Sequence, residues 1–569
     1  MASPGSSAVH RPPTDEHRLL LSPSLTIRDR TSFTTKLAPE TIRQILQYAT
    51  ALDIDYFDDP TTGHLEREGN VGSDASYLGR VCREWHDVAV STPSLWTHIT
   101  AFVDTPHTVE SLASSPLQTH LRLSFPLPIS VYLRRKVKIP SSLDLDEQHS
   151  VMTLLHAVKD HFARVEALVI EANTSSSLPN ALDLLGDGSE IFRQPLSGLK
   201  TLALRCNADD SILQPLPNSL SPQPPHRSLP LRRSLTTLYL DGRNLLEMLR
   251  SSLAGRNGRG VDSENVFSCM PMLEAIGVNN LTCCVDGFSE ELIHHFFLDI
   301  LPSFQRLSTL LLERFDLEPP QYPYISSFNL EEVMPGTVPT PLVSLSLPRL
   351  IIKHTKRESI GFVLRCMARP HTIVLDGCFL SSPTPSSSSF PSAPLEGVLS
   401  CSRLVLANLP CDFDRSLPGL IAQWDGEYLE LIRCTCLGDD FWTELVRLLS
   451  PEGKPGPDDG RGRLPEQTRE RTRDNQHEPF LGHLRSLKVI DCPNVHPDCL
   501  MIFLSQLRRA RSTTGGGSSS GFGENSRAAL DELVVAGSRS PKLETGAQMK
   551  WAKKLVSRTV KWSPLNLRH

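Results

Sequence analysis

Residues 196–207 read LSGLKTLALRCN, and residues 483–493 read HLRSLKVIDCP. In both, apolar side chains alternate with others at the period of a strand, and the run ends on a turn-forming or small residue. The same shape recurs as FARVEALVIEAN (162–173), RRSLTTLYLDG (232–242), MPMLEAIGVNN (270–280), FQRLSTLLLERFD (304–316) and LPRLIIKH (347–354). It returns as PHTIVLDGC (370–378), CSRLVLANLP (401–410), EYLELIRC (427–434) and LDELVVAG (530–537). Several copies are followed by a helical pattern, most clearly FSEELIHHFFLDIL (288–301), DDFWTELVRLL (439–449) and HPDCLMIFLSQL (496–507). A strand–loop–helix unit cannot bury its own apolar face, so it must stack on its neighbours. The expected fold class is therefore α/β: an irregular solenoid whose strands form a parallel sheet on the concave side, with helices outside. An ordinary parallel α/β domain is the alternative.

Composition agrees with a large but interrupted body. The chain has 569 residues, 39% of them hydrophobic, and its 45 prolines imply many breaks. A formal net charge of −6 gives no electrostatic case for nucleic acid as a partner. Thirteen scattered cysteines, an odd number, do not read as a disulfide framework. No apolar run approaches the length that spans a bilayer, and the first residues, MASPGSSAVHRPPTDEHR, lack the apolar core of a secretory signal. The expectation is a cytoplasmic or nuclear protein with no membrane partner.

Five stretches are too poor in apolar residues to offset the entropy of ordering. They are the N-terminus at 1–30 and insertions near 208–233, 381–394, 451–479 and 511–526. The irregular body is expected over 120–565, its first strand within VYLRRKVKI (131–139).

The N-terminal region, 35–100, differs from the body. LAPETIRQILQYA (37–49) places Pro39 and Glu40 at a helix start and Ile42, Ile45, Leu46 and Ala49 on one face. SYLGRVCREWHDVA (76–89) places Leu78, Val81, Cys82, Trp85 and Ala89 on one face of a second expected helix, with Ser73 or Asp74 as its cap. TPSLWTHI follows, with Leu95 and Trp96 as apolar payload, and a polar insert at 52–75 separates the two helices. So small a module has a marginal core of its own and needs a partner over its apolar faces.

The pattern L-x-P-E-x-I-x-x-I-L, then L-x-x-V-C-R-x-W, then P-x-L-W resembles the F-box. Leu37, Pro39, Glu40, Ile42, Ile45, Leu46, Leu78, Val81, Cys82, Arg83, Trp85, Pro93, Leu95 and Trp96 carry it. Two departures stand out: the usual Leu-Pro start is Leu-Ala-Pro here, and the insert stretches the gap between helices. The body, in turn, resembles degenerate, cysteine-containing leucine-rich repeats, with spacing mostly longer than the roughly 20–29 residues of regular ones. Together these resemblances imply a non-enzymatic substrate receptor without cofactor or metal. The F-box would dock on the Skp-type adaptor subunit of a cullin-based ubiquitin ligase through Leu37, Pro39, Ile42, Ile45, Leu78, Val81, Cys82, Trp85, Leu95 and Trp96. The repeats would bind a protein substrate. A leucine-rich-repeat scaffold without a ligase role is the alternative.

Other motifs are weaker. Gly517-Ser518-Ser519-Ser520-Gly521 matches a hydrolase pattern but sits in a Gly/Ser tract with no strand before it. Cys492, His496 and Cys499 could suggest zinc, yet Cys492 falls at a repeat turn and Cys499 on the following helix, where small buried residues are expected. Arg232-Arg233-Ser234 is a short match to a basophilic kinase site. KWAKKLVSRTVKW (550–562) reads as a basic, partly amphipathic helix that caps the last repeat, or binds an acidic membrane or partner helix.

Overall fold

In a computed structural model of the full chain, the described residues are 37–50, 79–104, 115–135, 145–186, 196–208, 210, 232–257, 266–283, 292–317, 347–367, 369–380, 399–410, 416–449, 481, 483–514, 530–537 and 546–563. The stretches 1–30, 52–75, 381–394 and 451–479, with most of 208–233 and 511–526, lie outside them, as does Leu78. Two compact units separate, the described part of the first ending at Thr92 and that of the second starting at Pro93.

The first unit holds helices α1 (Pro39–Thr50) and α2 (Arg83–Val90). The helix expected over 76–89 starts later. Gly79 and Arg80 lie in a turn, and Cys82 is the N-cap residue, in extended conformation at φ −160°.

The second unit is built on one fourteen-stranded sheet whose strands follow each other in chain order, every adjacent pair parallel. The strands are β1 (His98–Phe102), β2 (Ile129–Arg134), β3 (Val165–Thr174), β4 (Thr201–Ala208), β5 (Thr237–Asp241), β6 (Ala275–Cys283) and β7 (Thr309–Leu317). They continue as β8 (Arg349–Lys353), β9 (Thr372–Asp376), β10 (Arg403–Ala407), β11 (Tyr428–Ile432), β12 (Ser486–Ile490), β13 (Leu530–Ala536) and β14 (Val556–Ser563). Each repeated motif named above forms one of these strands. Three strands lie outside those motifs: β2, which overlaps the segment expected as the first strand of the body, and two others. β1 falls just after the Leu95-Trp96 payload, and β14 takes the second half of the segment expected to be a basic helix.

Helices flank the strands: α3 (Pro116–Leu123), α4 (Leu145–Val158), α5 (Ala181–Leu185), α6 (Gly242–Asn257), α7 (Arg357–Cys366), α8 (Ser416–Gln423), α9 (Asp439–Leu449), α10 (Pro497–Thr514) and α11 (Gly546–Leu555). The two leucines of each L-x-L, such as Leu202 and Leu204 or Leu404 and Leu406, point into the core shared with these helices. In α9, Phe441, Trp442, Leu445 and Leu449 are all buried at helical spacing. Burying each stabilises by about 1.5–3 kcal/mol. Trp442 meets Phe503 of α10 at a ring-centroid distance of 5.3 Å, so Trp442→Ala removes the contact that ties two repeats together.

Six consecutive strands, β8 to β13, are followed by a left-handed residue, His354, Gly377, Asn408, Arg433, Asp491 and Gly537, whereas in β6 and β7 the left-handed residues Asn280 and Arg314 lie within the strand. A non-glycine residue there costs about 1–2 kcal/mol. The turn lets the chain leave the sheet while the ladder continues, since the amides of His354, Gly377, Asn408, Arg433 and Asp491 still donate to the next strand. This is the physical origin of the Asn, Asp and Gly endings. The residue after the turn caps the neighbouring strand. The Cys378 thiol donates to Ile352 O (3.3 Å), Cys434 to Leu406 O (3.2 Å) and Cys492 to Leu431 O (3.4 Å). Among the described residues, no helix is long and apolar enough to cross a membrane.

Candidate functional site

Two surfaces present candidates, one on each unit. In the first unit, Pro39 opens α1 and Glu40 sits in its first turn, where the helix dipole favours a carboxylate. Ile42 and Leu46 are buried, as are Val88 and Ala89 of α2. The Thr92 hydroxyl closes α2 by donating to Val88 O at 2.6 Å.

The outer surface of this small unit is unusually apolar. Of the ten exposed large hydrophobic side chains among the described residues, five lie here: Leu37, Ile45, Tyr48, Val81 and Val90. Ile45 and Tyr48, three apart, share one helix face, and Tyr48 is 89% exposed. The Trp85 indole N–H is shielded from solvent and has no hydrogen-bond partner among the described residues.

The expected docking residues therefore divide. Leu37, Pro39, Ile45 and Val81 are exposed on the first unit, Cys82 and Trp85 are half-buried there, and Ile42 belongs to its core. Leu95 and Trp96 are buried in the second unit, where the Trp96 ring meets His120 edge-on at 4.9 Å.

On the second unit, the sheet face opposite the helices carries three rows set by the register. The middle row runs Tyr132, Val169, Ala203, Tyr239, Gly277, Leu311, Ile351, Val374 and Val405, then turns charged at Glu430 and Lys488. The apolar members form a second core, distinct from the helix-side one.

Beside that row runs a charged one. Arg134 holds Glu171 in a two-pronged ion pair at 3.0 Å, and Arg205 reaches Glu313 at 2.9 Å. Arg205 is on β4 and Glu313 on β7, so the contact crosses two intervening strands. Tyr239 bridges the gap: its hydroxyl donates to Glu313 Oε2 at 2.6 Å, and the Arg205 guanidinium stacks 5.1 Å from its ring centre. Gly277 on β6 makes room, because a Cβ there would sit 2.1 Å from the tyrosine ring. Burial alone would raise the Glu313 carboxyl; Arg205 and the Tyr239 hydroxyl outweigh it and hold the group at about 2. Burial pushes the Tyr239 hydroxyl well above its ordinary range, so the network is an ion pair capped by a neutral phenol. A second cluster lies on β10 to β12, where the buried Glu430 is clasped by Arg403 at 3.0 Å and Lys488 at 2.9 Å. Neither cluster was named from the sequence. Only the register reveals them, since the partners lie up to 108 residues apart.

The weaker motifs resolve locally. Cys492 is a strand cap, the Cys499 thiol lies 3.2 Å from Asp439 Oδ1, and His496 faces Asp498. Among the described residues no group of three or more His, Cys, Asp or Glu could hold a metal ion. Arg232 is buried and donates to Leu185 O, while Ser234 is tied to Ser197 O and Leu199 O, a poor posture for a kinase substrate. The Gly517–Gly521 stretch lies outside the described residues.

No protein-family model and no curated protein sequence matches this chain.

Proposed function

We propose that the protein is a substrate-recognition adaptor of a Skp–cullin–F-box type ubiquitin ligase. The two-helix unit docks on the Skp-type adaptor, and through it a cullin scaffold, while the repeated sheet binds a protein substrate. The observation that carries this reading is the apolar outer surface of the first unit. A module this small does not gain by exposing Leu37, Ile45, Tyr48 and Val81 unless a partner covers them. The F-box-like order of residues on that unit supports the choice of partner. The sheet of the second unit supplies a long row of side chains in fixed register, a surface suited to an extended protein contact. Holding a substrate near a ubiquitin-charged enzyme raises its effective concentration, so the chain itself need perform no bond chemistry.

The test is co-purification with the Skp-type adaptor. Ile45→Asp with Tyr48→Asp alters only exposed positions and is expected to abolish capture while far-UV circular dichroism is unchanged. Retained capture by this folded variant would overturn the docking surface. Absence of capture by the unaltered chain would leave a repeat scaffold without a ligase role.

A further inference from the structure

Among the described residues β14 is the last strand of the sheet, and its charged surroundings differ from those of the strands that carry the ion pairs. Between β2 and β12, several cations on the sheet are matched by carboxylates of other strands, as in Arg134–Glu171, Arg205–Glu313, Arg403–Glu430 and Lys488–Glu430. At the last repeat this stops. Lys550, Lys553 and Lys554 of α11 and Arg558 and Lys561 of β14 are all exposed, and none has an ion-pair partner among the described residues. The nearby carboxylates are engaged otherwise: Asp498 accepts from Gln548 and Asp531 from Ser557.

Two further features accompany these charges. Among the described residues β14 pairs with β13 on one side only, so its other edge meets no described strand. The cations also flank that edge from both sides. Ala552 and Leu555 of α11 pack into the helix-side core, as do Val560 and Trp562 in part, which puts Lys553 and Lys554 near the helix side. Lys561 aligns with Val534 and belongs to the middle row of the opposite face.

We propose that the β14 edge is a second binding site, taking an extended acidic peptide segment of a partner protein as a fifteenth strand. An extended segment offers what the edge lacks: backbone donors and acceptors for the ladder, and side chains alternating to both faces, where carboxylates meet Lys553 and Lys554 on one side and Lys561 on the other. A phosphate-rich surface would satisfy the charges but not the backbone, and a membrane would want the cations in one plane rather than about an edge. The inference stands independently of the adaptor reading, because it concerns the chain alone.

The probe is a fluorescein-labelled octapeptide of the repeat Glu-Glu-Val-Val, which puts carboxylates on both faces of an extended strand, titrated against the full chain by anisotropy. It is expected to bind at least tenfold more tightly than a Lys-Lys-Val-Val octapeptide, to weaken as salt rises, and to protect β14 amides from hydrogen exchange. Lys553→Glu with Lys561→Glu should abolish the preference, and so should placing proline at alternate positions of the peptide, which removes backbone donors. Equal binding of both peptides, or binding untouched by the double substitution in a folded variant, overturns the site. So does binding of phosphatidylserine vesicles without β14 protection. A variant that only self-associates, with no peptide bound by the parent chain, would mark the lysines as guards against edge pairing and overturn it as well.

Discussion

Replacing Gly277 by alanine should damage the charged row out of proportion to one methyl group. The new Cβ would lie 2.1 Å from Tyr239 Cδ2 and 2.5 Å from Cε2, so the ring must swing aside. Overpacking of this kind costs about 1–3 kcal/mol. The swing also breaks the 2.6 Å hydrogen bond to Glu313, and a bond to a charged group contributes about 1.5–3 kcal/mol. Gly277→Ala is therefore expected to destabilise by about 3–5 kcal/mol. In a Tyr239→Ala background the sign should reverse. With the ring gone, alanine fits a strand better than glycine by about 0.5–1 kcal/mol. Urea unfolding of the parent, both single variants and the double variant, with unchanged m-values, measures the coupling directly. Additive effects within about 0.5 kcal/mol would refute the account of Gly277 as the gap that seats Tyr239.

Glu313 titrates at about 2 instead of the usual 4.5. A carboxylate held down in the folded state stabilises fully above pH 4.5, and that contribution, on the order of 3 kcal/mol, is lost as pH falls towards 2. The stability gap between parent and Glu313→Gln should close over that window; a gap constant with pH would contradict it. Burial pushes the Cys378 thiol up to about 12, so at pH 8 a thiol reagent should label Cys378 only on unfolding, and mass spectrometry of the native protein finding it modified would count against the strand-cap role. Trp96→Ala, at a site 4% exposed, should cost about 3–5 kcal/mol in thermal unfolding of the second unit. A fragment starting at Pro93 should fold with the second unit's full strand content by circular dichroism. One starting near 105 should be less stable, because it lacks β1 and the Leu95–Trp96 anchor.

Much of the second unit was legible in the chain. The alternation of FQRLSTLLLERFD or HLRSLKVIDCP is a local property, fixed by which faces each strand buries, and the parallel stack follows because one such unit cannot bury itself. Helix α9 emerged at its expected bounds, 439–449, because its apolar spacing is strong. Legibility failed where long-range pairing outweighs local preference. VSRTVKW has a helical charge pattern, yet it pairs with β13, since the last strand of the stack otherwise lacks an outer neighbour. Leu95 and Trp96 continue the F-box-like order in sequence, but burial against His120 and its helix sets them in the second unit.

The sequence alone thus determined the class of fold, the positions of β2 to β13 and the apolar character of the first two helices, because periodicity and turn chemistry act within a dozen residues. The tertiary structure alone decided which side chains meet. Arg205, Tyr239 and Glu313 come together only through register across β4 to β7, Gly277 matters only because a ring lies over it, and among the described residues the lysines about β14 meet no carboxylate of a further strand. Such contacts join positions far apart in the chain, and no local pattern encodes the order in which strands stack.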